Sequence, residues 1–188
     1  MNLDNINIGL IVAVVIALVI LKWFISTSNK LIGLANKVDE SKSNIEAACM
    51  KRFEAVQNCY ATMTQLVSHE QQMIIESCKY RTEMTAKELS ELDQNLQKSW
   101  TTIKAVAENY PEIKSTAVFT NLQNVIAETE DTLFAQRRIY NSNVTVYNNA
   151  IMMFPSSIVA GMKKCVKGDL IEAPTEQLQS FQIPVKPV

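Results

Sequence analysis

Residues 8–25 read IGLIVAVVIALVILKWFI, with Lys22 as the only charge. As a helix the run rises about 27 Å, close to the roughly 30 Å of bilayer hydrocarbon. It therefore predicts a transmembrane segment near the start of the chain and ties everything that follows to a membrane. Two other readings of the run exist. A cleaved signal peptide needs a basic leader, a shorter apolar core and a small-x-small site, whereas here Asp4 precedes the run and Lys22, Trp23 and Phe24 close it. A buried core helix needs apolar partners all round, and the rest of the chain is too amphipathic to supply them. The flanks also predict an orientation. Asp4 precedes the run, and Lys22, Lys30 and Lys37 come at or soon after its end. The positive-inside bias then puts the N-terminus outside and the body in the cytoplasm.

Of 188 residues only 4 are glycine and 5 proline, and three of the prolines fall after Leu170. A body so poor in breakers favours a few long helices over strands joined by tight turns. The net charge of −1, with signs interspersed, lacks the concentration of Lys and Arg that nucleic-acid binding requires. Cys49, Cys59, Cys78 and Cys165 form no C-x-x-C pair. They read as small hydrophobes in a reducing compartment.

Leu31, Ala35, Val38, Ile45, Cys49, Val56, Cys59, Met63 and Leu66 recur mostly at steps of four and three, interrupted by Lys42 and Arg52. This predicts a first helix over 29–67, open to continuity with the apolar run. Ser68 and Gln71 fit a capping box that starts a second helix over 69–109. Its heptad row is Ile75, Thr82, Leu89, Leu96, Ile103 and Tyr110, with Cys78, Thr85, Leu92, Ser99 and Val106 beside it. Pro111 ends it. Ser115 is the expected cap of a third helix over 115–154, where Phe119, Ile126, Leu133, Tyr140, Tyr147 and Phe154 occupy consecutive heptad positions. Leu122, Val125, Ile139, Val146 and Met153 widen that face beyond what one neighbour covers. An up-down-up path puts Ser68 and the Phe154–Pro155 turn far from the membrane and Tyr110 near it. A short basic amphipathic piece over 162–167 then sits distally, and a proline-bearing tail over 166–188 is expected to lie extended along the bundle or a neighbouring subunit.

The fold predicted is all-α: a short segment over 1–6, a transmembrane helix over 7–25, a long antiparallel three- to four-helix bundle or coiled coil over 26–165, and the tail. Several stretches also resemble the bacterial LemA family. They are Val38-Asp39-Glu40 with Lys51-Arg52, Glu108-Asn109-Tyr110-Pro111, Ala135 through Asn141, Tyr147-Asn148, and Phe154-Pro155-Ser156-Ser157-Ile158-Val159-Ala160. The likeness covers roughly 1–165, departing at 53–60 and after Lys164. It implies an N-terminally anchored helical bundle of the bacterial inner membrane whose biochemical activity is not established.

Catalytic chemistry is hard to assemble from these residues. His69 is the sole histidine and sits at a helix start, where a solvated cap is the ordinary role. Inward Glu-x-x-His pairs for a di-metal bundle therefore cannot form. The cysteines Cys49, Cys59 and Cys78 lie mid-helix in apolar rows, and no glycine-rich phosphate loop occurs. No catalytic residue, cofactor or metal ligand is assigned, and the chain is expected not to be an enzyme. Glu108, Tyr110, Arg137, Arg138, Tyr140, Asn141 and Phe154 are the candidate register or interface residues. In this reading Arg137 or Arg138 pairs with Glu108 or with a neighbouring chain's carboxylate, against the plainer alternative of a solvated face. Lys163, Lys164 and Lys167 form a candidate basic contact. The expected partners are the lipid bilayer and further copies of the chain, with another membrane protein as the adaptor alternative. No nucleic acid is expected.

Overall fold

A computed structural model of the protein describes residues 3–171, with side chains from residue 9 onward. Residues 1–2, and the tail beyond Ile171, lie outside the described residues, while residues 3–6, expected as a separate segment, belong to the first helix. Six helices follow in order: α1 (Leu3–Met63), α2 (His69–Glu76), α3 (Ala86–Asn109), α4 (Pro111–Lys114), α5 (Ala117–Met152) and α6 (Ser156–Met162). There is no strand among the described residues, and the fold is all-α. The apolar run and the first amphipathic seam are one helix, α1, unbroken at residues 26–28. By length and composition α1 contains an apolar stretch able to cross a membrane, with a mean hydropathy of 2.6 in its most apolar window and none of that window buried.

The chain divides into two compact units. The first is built from residues up to Asp39 together with Asn143–Gly168, the second from Glu40–Ser142 with the chain from Asp169 on.

In the second unit α1 and α5 run antiparallel. Asn44 bonds Gln136 at 3.5 Å, whereas a little further along α1 Lys51 pairs with Glu128 at 2.6 Å and Arg52 donates to Thr129 at 2.5 Å, about two turns earlier on α5. Helix α3 is antiparallel to α5 in turn, because Trp100 meets Phe119 with ring centroids 5.9 Å apart, while the earlier Asp93 meets the later Arg137. The core between them is apolar: Ile45, Cys49, Val56, Cys59 and Met63 from α1, Leu89, Leu96 and Ile103 from α3, Phe119, Leu122 and Leu133 from α5. In this register Tyr110 and Pro111, which immediately precede α5, belong with the Met63 end of α1. The sequence reading had put them at the membrane-proximal end.

Helix starts follow side-chain capping. Ser68 accepts from the Gln71 amide at 3.4 Å and its own amide donates to the Gln71 side chain at 2.9 Å, the reciprocal box expected there. The single helix expected over 69–109 is corrected, because residues 77–85 are not helical and Thr85 forms a second box with Glu88. The Glu88 amide donates to Thr85 at 3.3 Å and the Thr85 amide to the Glu88 carboxylate at 2.8 Å. Glu83 takes a left-handed φ of 59° just before it, which no helix tolerates in sequence. Thr82 and Thr85, assigned to the seam, are exposed as a result. Ser115 closes α4, and Thr116 instead caps α5 by accepting from the Phe119 amide at 3.2 Å. At the other boundary α1 stops at Met63, so Leu66 is 37% exposed.

In the first unit α5 again runs back along α1, with Asn143 donating to the Lys37 carbonyl at 3.1 Å. Leu31, Ile151, Val159 and Ala160 form a small buried cluster, and Phe24, Tyr147, Ala150 and Cys165 pack against it. The Phe154–Pro155 peptide is cis, and α6 starts directly after it. This turn and the basic piece after it were expected at the far end. The contact of Val159, Ala160 and Cys165 with Leu31 and Phe24 places them beside the end of the apolar run instead.

Candidate functional site

The most polar part of the second unit is buried at its centre. Arg52 on α1, Asp93 on α3 and Arg137 on α5 are 3%, 3% and 7% exposed. Asp93 presents one carboxylate oxygen to each guanidinium: Arg52 Nη1 lies 3.4 Å from Oδ1, and Arg137 Nη2 bonds Oδ2. Arg52 also donates through Nε to Thr129 Oγ1 at 2.5 Å and through Nη2 to the Ile126 carbonyl at 3.4 Å. Thr129 Oγ1 in turn donates a hydrogen bond to the Val125 carbonyl at 2.6 Å. One residue from each long helix thus meets in a single network, and among the described residues no buried side-chain polar atom lacks a partner. Satisfied networks of this kind select one register of packing, since any slip strands a charge.

Electrostatics in this core disfavour exchange with solvent. Burial pushes the Asp93 carboxyl above its usual range against the pull of Arg137 and Arg52, and burial lowers the basicity of Arg52. Beside them Cys49 is pushed up to about 12, chiefly by burial and then by Asp93. Burial alone raises Cys59 to about 11. Cys78, in contact with Ser99 at 3.2 Å, is raised by burial too. Thiols held in the protonated form in apolar surroundings are poor nucleophiles.

A second polar arrangement lies on α5. Tyr140 donates to the Asp169 carbonyl at 2.9 Å. Asn141 grips Ile171 from both sides, its Nδ2 donating to the carbonyl and its Oδ1 accepting from the amide, each at 2.9 Å. In the first unit Asn148 does the same to Gly168, again with both bonds at 2.9 Å. In each case a side-chain amide satisfies an extended residue's main chain as a neighbouring strand would. Near the Tyr140 contact a groove of about 450 Å³ is lined by Lys87, Ser90, Glu91, Gln94, Asp169 and Leu170.

The candidate residues from the sequence therefore separate. Arg137 pairs with Asp93 and not with Glu108, which lies exposed on α3. Arg138 is exposed, whereas Tyr140 is buried and Asn141 partly so, both holding the segment after α6. Tyr110 is half-buried at the junction of α3 and α4. Phe154 is 80% exposed. Lys163, Lys164 and Lys167 are exposed, with Lys164 at a left-handed φ of 54°. Asp93 escaped the sequence reading, although it stands four residues after Leu89 and three before Leu96 on a buried stripe. A lone carboxylate in the α3 stripe and a lone Arg52 in the α1 seam are complementary signals.

No curated protein matches the chain. The family model of the LemA family matches residues 41–184, a stretch that includes Arg52, Asp93 and Arg137 and begins beyond the apolar run. A match over most of the chain assigns it: the protein belongs to the LemA family.

Proposed function

We propose that the protein is a membrane-anchored scaffold that self-associates through its helical bundle into a homo-oligomeric array in one bilayer. Residues 8–25 serve as the anchor, with the N-terminus outside and the bundle on the cytoplasmic side of a bacterial inner membrane. One observation carries the reading of self-association. Ile139 and Val146, a heptad apart on α5, and Met153 just past its end are 48%, 49% and 64% exposed, while the parallel row of Phe119, Ile126, Leu133 and Tyr140 is buried. The helix thus carries an apolar row beyond the one its own bundle covers, the kind of surface that soluble monomers seldom leave in water. The buried charge network supports the same reading, since a scaffold needs fixed helix register and no reactive group.

Chemical cross-linking and sizing of the native protein after mild detergent extraction test this. Lateral lysine cross-links between copies and a particle of several copies are expected. A clean monomer without such links overturns the proposal, and a stoichiometric foreign protein in the particle replaces it with an adaptor role.

A further inference from the structure

The end of the apolar run carries a surface that the first unit leaves uncovered. Residues 9–23 are exposed, and burial starts at Phe24, continuing through Thr27, Ser28 and Leu31 on one face of α1. Phe24 and Leu31 meet Ile151, Val159 and Ala160. The α5–α6 hairpin is therefore held at the level where the bare run ends. With residues 8–25 filling the hydrocarbon, that level is the lipid headgroup layer. Away from the packed side of the hairpin, Phe154, Ile158, Met162 and Val166 are 80%, 53%, 69% and 78% exposed. Ile158 and Met162 stand one turn apart on α6, while Val159 and Ala160 between them are buried. Lys163, Lys164 and Lys167 follow, all exposed, and residues 152–168 contain no Asp or Glu.

We propose that the α5–α6 hairpin is a second, monotopic membrane contact. Phe154, Ile158 and Met162 enter the acyl boundary of the same bilayer, and Lys163, Lys164 and Lys167 bind anionic lipid headgroups. Apolar side chains with an adjacent cationic rim are what an interfacial segment displays, since the apolar body goes down and the lysine stems reach back to phosphate. The charge complementarity commits the surface to lipid: three lysines in a stretch with no Asp or Glu before Asp169 match a negatively charged leaflet, which strengthens contact about fivefold per lysine. The inference rests on the reading of residues 8–25 as an anchor and is independent of self-association.

The full chain is reconstituted into vesicles of phosphatidylcholine with phosphatidylglycerol, carrying Phe154→Trp in a Trp23→Phe, Trp100→Phe background. Brominated-acyl phosphatidylcholine should quench most of the tryptophan emission. Phe134→Trp in the same background, at a 56% exposed position of the second unit, should stay unquenched. The triple variant Lys163→Glu, Lys164→Glu, Lys167→Glu should lose quenching at Phe154→Trp in the anionic vesicles. Its thermal unfolding should match the parent's, because all three lysines are exposed. An unquenched Phe154→Trp in protein that still resists alkaline carbonate extraction overturns the proposal and leaves the anchor standing. Loss of extraction resistance overturns the anchor itself. Blue-shifted but unquenched emission that grows with protein density shows a second copy on the surface, and also overturns the lipid contact.

Discussion

The two units solve the same problem, holding α5 against α1, with opposite chemistry. In the second unit the contact is organised by buried charge, with Arg52, Asp93, Thr129 and Arg137 linking three helices inside a large apolar core. The first unit has only the cluster around Leu31, Ile151, Val159 and Ala160, and it exposes Met153, Phe154, Ile158 and Met162 to its surroundings. A charge network is intolerant of displacement because each ion depends on its counterpart, whereas a small apolar cluster tolerates shifts and loses stability in proportion to area. Directional ion pairing thus holds the helices in one unit and a small apolar contact holds them in the other.

The comparison breaks first at Asp93. Replacing it with Ala leaves two buried guanidiniums without an anion and should cost about 3–5 kcal/mol in chemical unfolding. Joint replacement by apolar residues, Arg52→Met with Asp93→Leu and Arg137→Met, should recover most of that loss. A triple variant as unstable as Asp93→Ala would show that the network contributes more than register.

Leu31→Ala probes the other side. It should cost about 2–4 kcal/mol and appear in hydrogen exchange across residues 143–162. Slow amides around Leu96 and Ile103 should be unchanged. Equal loosening of both regions would mean that the units unfold as one.

Alkaline pH should distinguish them by a smaller amount. Cys49 titrates near 12 when folded against 9.0 for a free thiol, so above the lower value the unfolded chain releases a proton that the folded chain retains. Stability should therefore fall as pH rises from about 9, by up to about 1.4 kcal/mol per pH unit from this thiol. Cys49→Val should flatten that slope, measured as the difference between the two proteins' unfolding curves. The smallest effect is expected at Asn141→Ala, about 1 kcal/mol and local, with faster exchange at the Ile171 amide.

What could be read in the sequence were features that repeat locally. The continuous α1 follows from an apolar run that passes directly into a four-three seam, and the Phe119 to Tyr140 row on α5 needs only helical spacing. The break before α3 was locally encoded as well. Thr85 and Glu88 form a capping signal, but Thr85 also fits the heptad row, and periodicity alone cannot choose between the two. The pairing of Arg137 with Asp93 lies 44 residues apart in sequence and depends on which helices face each other. That is tertiary information, and it is why Glu108 drew the first assignment. The turn at Phe154 was misplaced for a related reason: inserting one break between α2 and α3 adds a pass of the chain and reverses the direction of every element after it.

The asparagines of α5 have a consequence for tolerance to mutation. Asn141 and Asn148 each take hold of an amide and a carbonyl, and neither bonds a side chain of the residue it grips. A grip on the main chain is blind to what the gripped residue is, provided it is not proline, which has no amide to offer. Position 168 could therefore drift through evolution with little penalty, since a methyl added there would meet Val144 at 3.4 Å, ordinary contact distance. The two asparagines could not, because even glutamine, one methylene longer, would carry its amide past both atoms.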